Sequence, residues 1–239
     1  MEKIKRKNLY KAVVAFAVAL AFILPTATVL ADDDTIVRFE PPTQIVEKGD
    51  VFTASVYVEP ADYVTGVNFV TISFDPTLLQ ANSVTEGDLF GGSAFLFEGG
   101  TIDNVAGTIS DGYALVQAAD SVIDPGSIFV IEFTAQNTLG TSDLLISGVT
   151  VPGNSSYLDY EVQNGSVTVE EYFDLTIGVN GLGTTVPTPG VHTYTSGEVV
   201  NLEAIADPGW SFDHWDGDVA DPNTATTTIT MLDLSLIHI

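Results

Sequence analysis

Gly66-Val67-Asn68-Phe69-Val70-Thr71-Ile72-Ser73-Phe74-Asp75-Pro76 decides the fold. Val70, Ile72 and Phe74 recur at period two, and Phe69, Thr71 and Ser73 fill the alternate positions. That alternation predicts a half-buried β-strand. Asp75-Pro76 ends it, because Pro fixes its own φ, donates no N–H and restricts the residue before it. Leu78 and Leu79 resume the apolar pattern directly after the turn.

Outward from this strand the same grammar repeats. Residues 51–58 alternate Phe52, Ala54, Val56 and Val58 with Thr53, Ser55 and Tyr57. Short strands are predicted at 36–39 and 44–46, parted by Pro41-Pro42, and at 94–97, 108–110, 113–117, 128–135, 144–151 and 162–169. Gly, Asp, Asn or Pro punctuate nearly every gap, as turns require. No stretch carries a convincing helical period. Many short strands at regular spacing predict an all-β sandwich over 32–169.

Composition bounds the function. The chain has 239 residues, 7 Lys+Arg, 32 Asp+Glu and no Cys. Lys3, Lys5, Arg6, Lys7 and Lys11 precede an apolar run at 12–24, and small or aliphatic residues lead to Ala31. This is the pattern of a secretory signal peptide over 1–31, cleaved after Ala31. The apolar run is shorter than the ~20 residues of a spanning helix, so no membrane insertion is expected after cleavage. Removal of 1–31 leaves Arg38 and Lys48 against every acidic residue except Glu2. Such a surface repels phosphate backbones and anionic lipid, which excludes nucleic-acid binding.

The order of several motifs resembles a cohesin domain. They are Val46-Glu47-Lys48-Gly49-Asp50 leading into 51–58, the Phe74-Asp75-Pro76 turn, and Ser83-Val84-Thr85-Glu86-Gly87-Asp88-Leu89. Cohesins are modules of extracellular scaffold proteins that receive dockerin modules carried by enzymes. The resemblance implies a nine-stranded jelly roll, a secreted or cell-surface prokaryotic protein and a setting in polysaccharide breakdown. It also implies that calcium belongs to the dockerin partner and that this chain needs no cofactor. In cohesins the outer face matching 66–74 contributes to the flat sheet that dockerin covers. Here that face is expected to present Val67, Phe69, Thr71 and Ser73, with Phe69 as an apolar anchor. A one-residue register error would exchange the two faces and make Phe69 core.

Glu170-Glu171 marks a boundary before a second domain, 172–239, which resembles over about 172–231 a bacterial surface repeat of the InlB B-repeat type. The resemblance rests on Phe173-Asp174-Leu175-Thr176-Ile177, Pro187-Thr188-Pro189-Gly190, Pro208-Gly209-Trp210-Ser211-Phe212 and Trp215-Asp216-Gly217-Asp218. It implies that both tryptophans pack a small core; a sugar-stacking platform is the alternative. The last six residues, Leu234-Ser235-Leu236-Ile237-His238-Ile239, look like translated sequencing adapter. On that reading the repeat is partial and lacks its closing strand.

The sequence offers little for catalysis. Without Cys there is neither thiol chemistry nor a zinc-thiolate site. His192, His214 and His238 stand in no metalloprotease spacing or nucleophile elbow. Asp213, Asp216 and Asp218 suggest a weak calcium site, but without the EF-hand spacing. The leading expectation is therefore a secreted, non-catalytic, dockerin-binding module. Direct polysaccharide binding and a structural or adhesive surface role are the alternatives.

Overall fold

The computed structural model describes residues 34–92, 94–233 and 235–238, with the backbone alone for Val70 and for 235–238. The signal peptide expected over 1–31 lies outside the described residues. Strands occupy Thr35–Glu40 (β1), Thr43–Glu47 (β2), Val51–Glu59 (β3), Gly66–Ser73 (β4), Leu79–Glu86 (β5) and Leu96–Glu98 (β6). Further strands are Thr101–Asp103 (β7), Thr108–Leu115 (β8), Gly126–Ala135 (β9), Gly140–Ser147 (β10), Tyr160–Gln163 (β11) and Gly165–Glu170 (β12). One sheet has the order β11-β1-β3-β9-β5; the other runs β2-β12-β10-β4-β8-β6, with β7 also paired to β8.

The two sheets form a jelly-roll sandwich. Its strand segments reduce to nine runs when interrupted ones are joined: β1 with β2, β6 with β7, and β11 with β12. The first run switches sheets at Pro41-Pro42 and the last at Asn164, side by side. β11 pairs parallel with β1 and β12 pairs parallel with β2. Gly165 permits the crossing, since a Cβ there would fall 2.7 Å from the Cβ of Phe39.

Alternation fills the space between the sheets. Val37, Phe39, Ala54, Val56 and Val58 from one sheet meet Ile72, Ile109, Leu144 and Val167 from the other, all buried. Each fully buried aliphatic or Phe side chain contributes roughly 1.5–3 kcal/mol. Two aromatic clusters bridge the layers. Phe74 sets its edge on Phe133 at 5.4 Å, and Phe133 also stacks on Phe52 at 5.7 Å. Phe69 meets Phe129 edge-on at 5.0 Å and 83°.

That last contact corrects the sequence reading of β4. Val67 and Phe69 are 1% and 3% exposed and belong to the core, not to the outer face. Ile72 and Phe74 are buried as predicted, so the inward phase changes between Phe69 and Ile72. β8 changes phase beside it: Ile109, Gly112 and Ala114 are buried, and Asp111 adopts φ 61°. The ring of Phe69 lies over its cross-strand partner Gly112, where a Cβ would sit 2.3 Å from Cζ. Strict period two cannot survive such a twist, and the faces exchange along one strand.

The turn after β4 is tied by Asp75. Its carboxylate accepts hydrogen bonds from the Thr77 amide (2.8 Å) and hydroxyl (2.7 Å), which lower its pKa. A depressed folded pKa gives stability that is present above the unfolded value, near 3.9, and is lost as pH falls through the folded one. Asp75→Ala is therefore expected to lower the melting temperature at neutral pH, with the gap to wild type closing on acidification below the unfolded pKa. A gap that stays constant with pH would assign the effect to turn geometry alone.

β12 passes through Glu171 into a second unit. Here the strands are Tyr172–Gly178 (β13), Gly183–Val186 (β14), Gly190–Thr195 (β15), Val199–Ala206 (β16), Thr226–Thr230 (β17) and Ser235–His238 (β18). They form two three-stranded sheets, β15-β13-β18 and β14-β16-β17. A separate small core gathers Leu175, Ile177, Val200, Leu202, Trp215, Ile229 and Met231. The backbone at 235–238 pairs parallel with β13, so the expected missing closing strand is corrected: the tail itself supplies that strand. At the junction, Lys48 pairs with Glu171, and the Tyr172 hydroxyl donates to Glu170 at 2.5 Å. That bond to a carboxylate, with burial and the nearby negative charge, pushes the phenol up to about 12.

Candidate functional site

The outer face of β10, β4 and β8 is the broadest regular surface of the sandwich that carries predicted site residues. Cross-strand pairing sets its rows. Ser147 lies opposite Thr71, and Thr71 opposite Ser110. Ser110 in turn faces Thr101 on β7. A second row runs Leu145, Ser73, Thr108 and Asp103. A third joins Asn68, Tyr113 and Glu98.

The face thus has a centre of hydroxyls, two apolar projections and an acidic rim. Leu145 is 43% exposed and Tyr113 is 37% exposed. Thr71 and Ser73 are half-buried between neighbouring strands, and the Ser147 hydroxyl donates to the Thr71 carbonyl at 3.3 Å. Asn68 is fastened at one end, its amide oxygen accepting from the Thr150 amide (3.1 Å) and hydroxyl. Asp103, Asp111 and Asp143 are exposed around the margin. Neutral hydroxyls inside an acidic border suit a partner that brings its own donors and an apolar ridge.

Of the four predicted contact residues, Thr71 and Ser73 lie on this face, whereas Val67 and Phe69 point into the core. The sequence reading missed Leu145, Ser147, Tyr113 and Ser110. A signal for Leu145 was available. Leu144 and Ile146 are both buried, so the same alternation that marks them as core turns Leu145 outward.

The other candidates separate. Among the described residues no group of three or more His, Asp or Glu side chains converges as a metal site, so Asp213, Asp216 and Asp218 do not form the suggested calcium cage. Asp213 instead bonds the adjacent His214 at 3.1 Å in open solvent. His192 Nε2 bonds the Thr188 carbonyl at 2.6 Å. Trp215 is core, as the repeat resemblance implies, and its indole N–H donates to Thr224 O at 3.0 Å. Trp210 departs from that expectation and is 56% exposed. Among the described residues no helix is long and apolar enough to cross a membrane.

Comparison with known proteins agrees with both halves of this architecture. A family model described as cohesin domain matches residues 38–169, and one described as divergent InlB B-repeat domain matches 173–234. No protein of curated function matches the chain. Among solved structures, a non-cellulosomal cohesin from the archaeon Archaeoglobus fulgidus is 17% identical, covering 57% of this chain and 91% of its own, with TM-score 0.47. A type I cohesin–dockerin complex from Clostridium thermocellum matches at 14% identity, 57% and 99% coverage and TM-score 0.49. A type II cohesin domain from the cellulosome of Acetivibrio cellulolyticus matches at 16% identity, 56% and 94% coverage and TM-score 0.46. With the first family model spanning more than half of its residues, the chain belongs to the cohesin-domain family, whose members are non-catalytic binding modules.

Proposed function

We propose that this chain is exported and acts as a docking module outside a prokaryotic cell. Residues 32–169 receive a dockerin-bearing protein on the outer face of β10, β4 and β8, and 172–239 serve as a spacer or surface element. The cohesin match over 38–169 is the observation that carries this reading. The face described above supports it, offering Thr71, Ser73, Ser110 and Ser147 as hydrogen-bonding partners beside Leu145 and Tyr113. The setting is extracellular polysaccharide breakdown, with the dockerin joined to the enzyme.

Dockerins encoded in the same genome should be tested for binding at micromolar concentration. Calcium is placed on the dockerin, where metal binding is folding energy. A chelator is therefore expected to abolish docking while leaving the melting temperature of this chain unchanged. A melting temperature that falls with chelator would place structural calcium here instead. Absence of docking by every such dockerin would overturn the docking function. The InlB-type repeat at 173–234 would then favour an adhesive or structural role.

A further inference from the structure

Two loops of the second unit meet over an open cleft. One is 179–182, between β13 and β14; the other is 207–213, after β16. Asp207 N donates to Leu182 O at 3.1 Å, which ties the loops together, and Trp210 N donates to Asp207 O at 2.9 Å within the second loop. The cleft holds about 240 Å³, and Asn180, Leu182, Trp210, Ser211, Phe212 and Asp213 are among its lining residues.

Three features set its chemistry. Trp210 leaves 56% of its surface in water, while Trp215 five positions on is 1% exposed. The unit therefore buries one indole and presents the other. Secondly, the ring of Trp210 lies beside Gly181, close enough that a side chain there would touch it. Gly181 has φ 138°, and a Cβ there would stand 3.5 Å from Cζ3 and 3.6 Å from Cε3. Thirdly, the Asn180 amide and the Ser211 hydroxyl make no hydrogen bond to any described residue, so their donors and acceptors are free for a ligand. The Asp213 side chain, 95% exposed, adds a carboxylate.

Charge narrows the choice. Residues 172–239 contain no Lys or Arg, and Asp213 lines the cleft, so an anionic ligand is repelled. An organic cation would need enclosing aromatic faces and a desolvated carboxylate. Here Asp213 stands in open solvent, and Phe212 is half-buried against Trp215, at 6.0 Å between ring centroids. A neutral sugar ring needs what is present: one flat apolar surface for its C–H groups and uncharged amide and hydroxyl groups for its rim.

We propose that this cleft binds a neutral sugar ring, stacked on Trp210 and held at its hydroxyls by Asn180 and Ser211. The site is separate from the sandwich face and does not depend on docking. The test titrates the full chain with cellobiose, xylobiose and chitobiose in turn, by calorimetry and tryptophan emission. At least one sugar is expected to bind saturably at millimolar concentration and to change the emission of the exposed indole. Trp210→Ala should weaken that binding about tenfold or more, Trp210→Tyr should retain part of it, and Asn180→Ala should weaken it. Buried Trp215 reports that each variant is folded. Failure of all three sugars to bind, binding unchanged in Trp210→Ala, or an emission change with tetramethylammonium and none with the sugars would each overturn the proposal.

Discussion

Phe69→Asp is expected to leave the sandwich unfolded at room temperature. The ring sits between the sheets, edge-on to Phe129 and over Gly112, and is 3% exposed. Truncation of a buried Phe alone costs about 3–5 kcal/mol. An unpaired carboxylate in its place adds several more, against a typical total of about 5–15 kcal/mol. Phe69→Ala should remain folded with a much lower melting temperature. Gly112→Ala should cost about 1–3 kcal/mol, because the new methyl enters space held by the ring. Combining Gly112→Ala with Phe69→Leu should cost less than the sum of the two, since the smaller side chain relieves that clash. Thermal melts of the five variants, the Phe69→Leu single included, check this. A Phe69→Asp protein that melts with the wild type would return Phe69 to the surface.

Thr71→Arg and Leu145→Asp should do the opposite. Both positions lie on the outer face, Thr71 half-buried between Ser147 and Ser110, and Leu145 projecting beside Ser73. Melting should be unchanged. Docking should weaken by about 2 kcal/mol or more for each, about thirtyfold in affinity, through steric clash and an unpaired charge inside a dry interface. Binding measured against a genuine dockerin partner decides. Unaltered affinity in both variants would move the docking surface elsewhere on the sandwich.

The contrast between these variants marks how far the sequence could be read. Ile72 and Phe74 followed from alternation, because a half-buried strand imposes period two wherever its backbone is regular. Phe69 did not, because the alternation breaks within β4 between Phe69 and Ile72, beside a matching phase change in β8. Asp111 takes a left-handed conformation more than forty positions along the chain, and its residue type does not demand one. Gly112 was the visible clue, a strand glycine whose missing side chain admits a close neighbour. The interruption at Pro41-Pro42 was likewise legible as a break, but the one at Asn164-Gly165 was not, since 162–169 reads as a single strand. Nor was their shared role in crossing between sheets, because it depends on pairing between opposite ends of the domain. In the second unit the aromatic motif marked both tryptophans as core. Only Trp215 obeys; Trp210 lies on a loop whose course no hydrophobic period records.

The paired terminal runs also fix how the sandwich carries tension. The chain enters at Thr35, opposite Tyr160, and leaves at Glu170, opposite Glu47, with the two runs parallel throughout. A pull on those two ends therefore slides neighbouring strands lengthwise. It loads the hydrogen bonds of both sheets together in shear, where a hairpin pulled at its open end would release them one at a time. Load passed along the chain through the sandwich would thus be borne by both sheets at once.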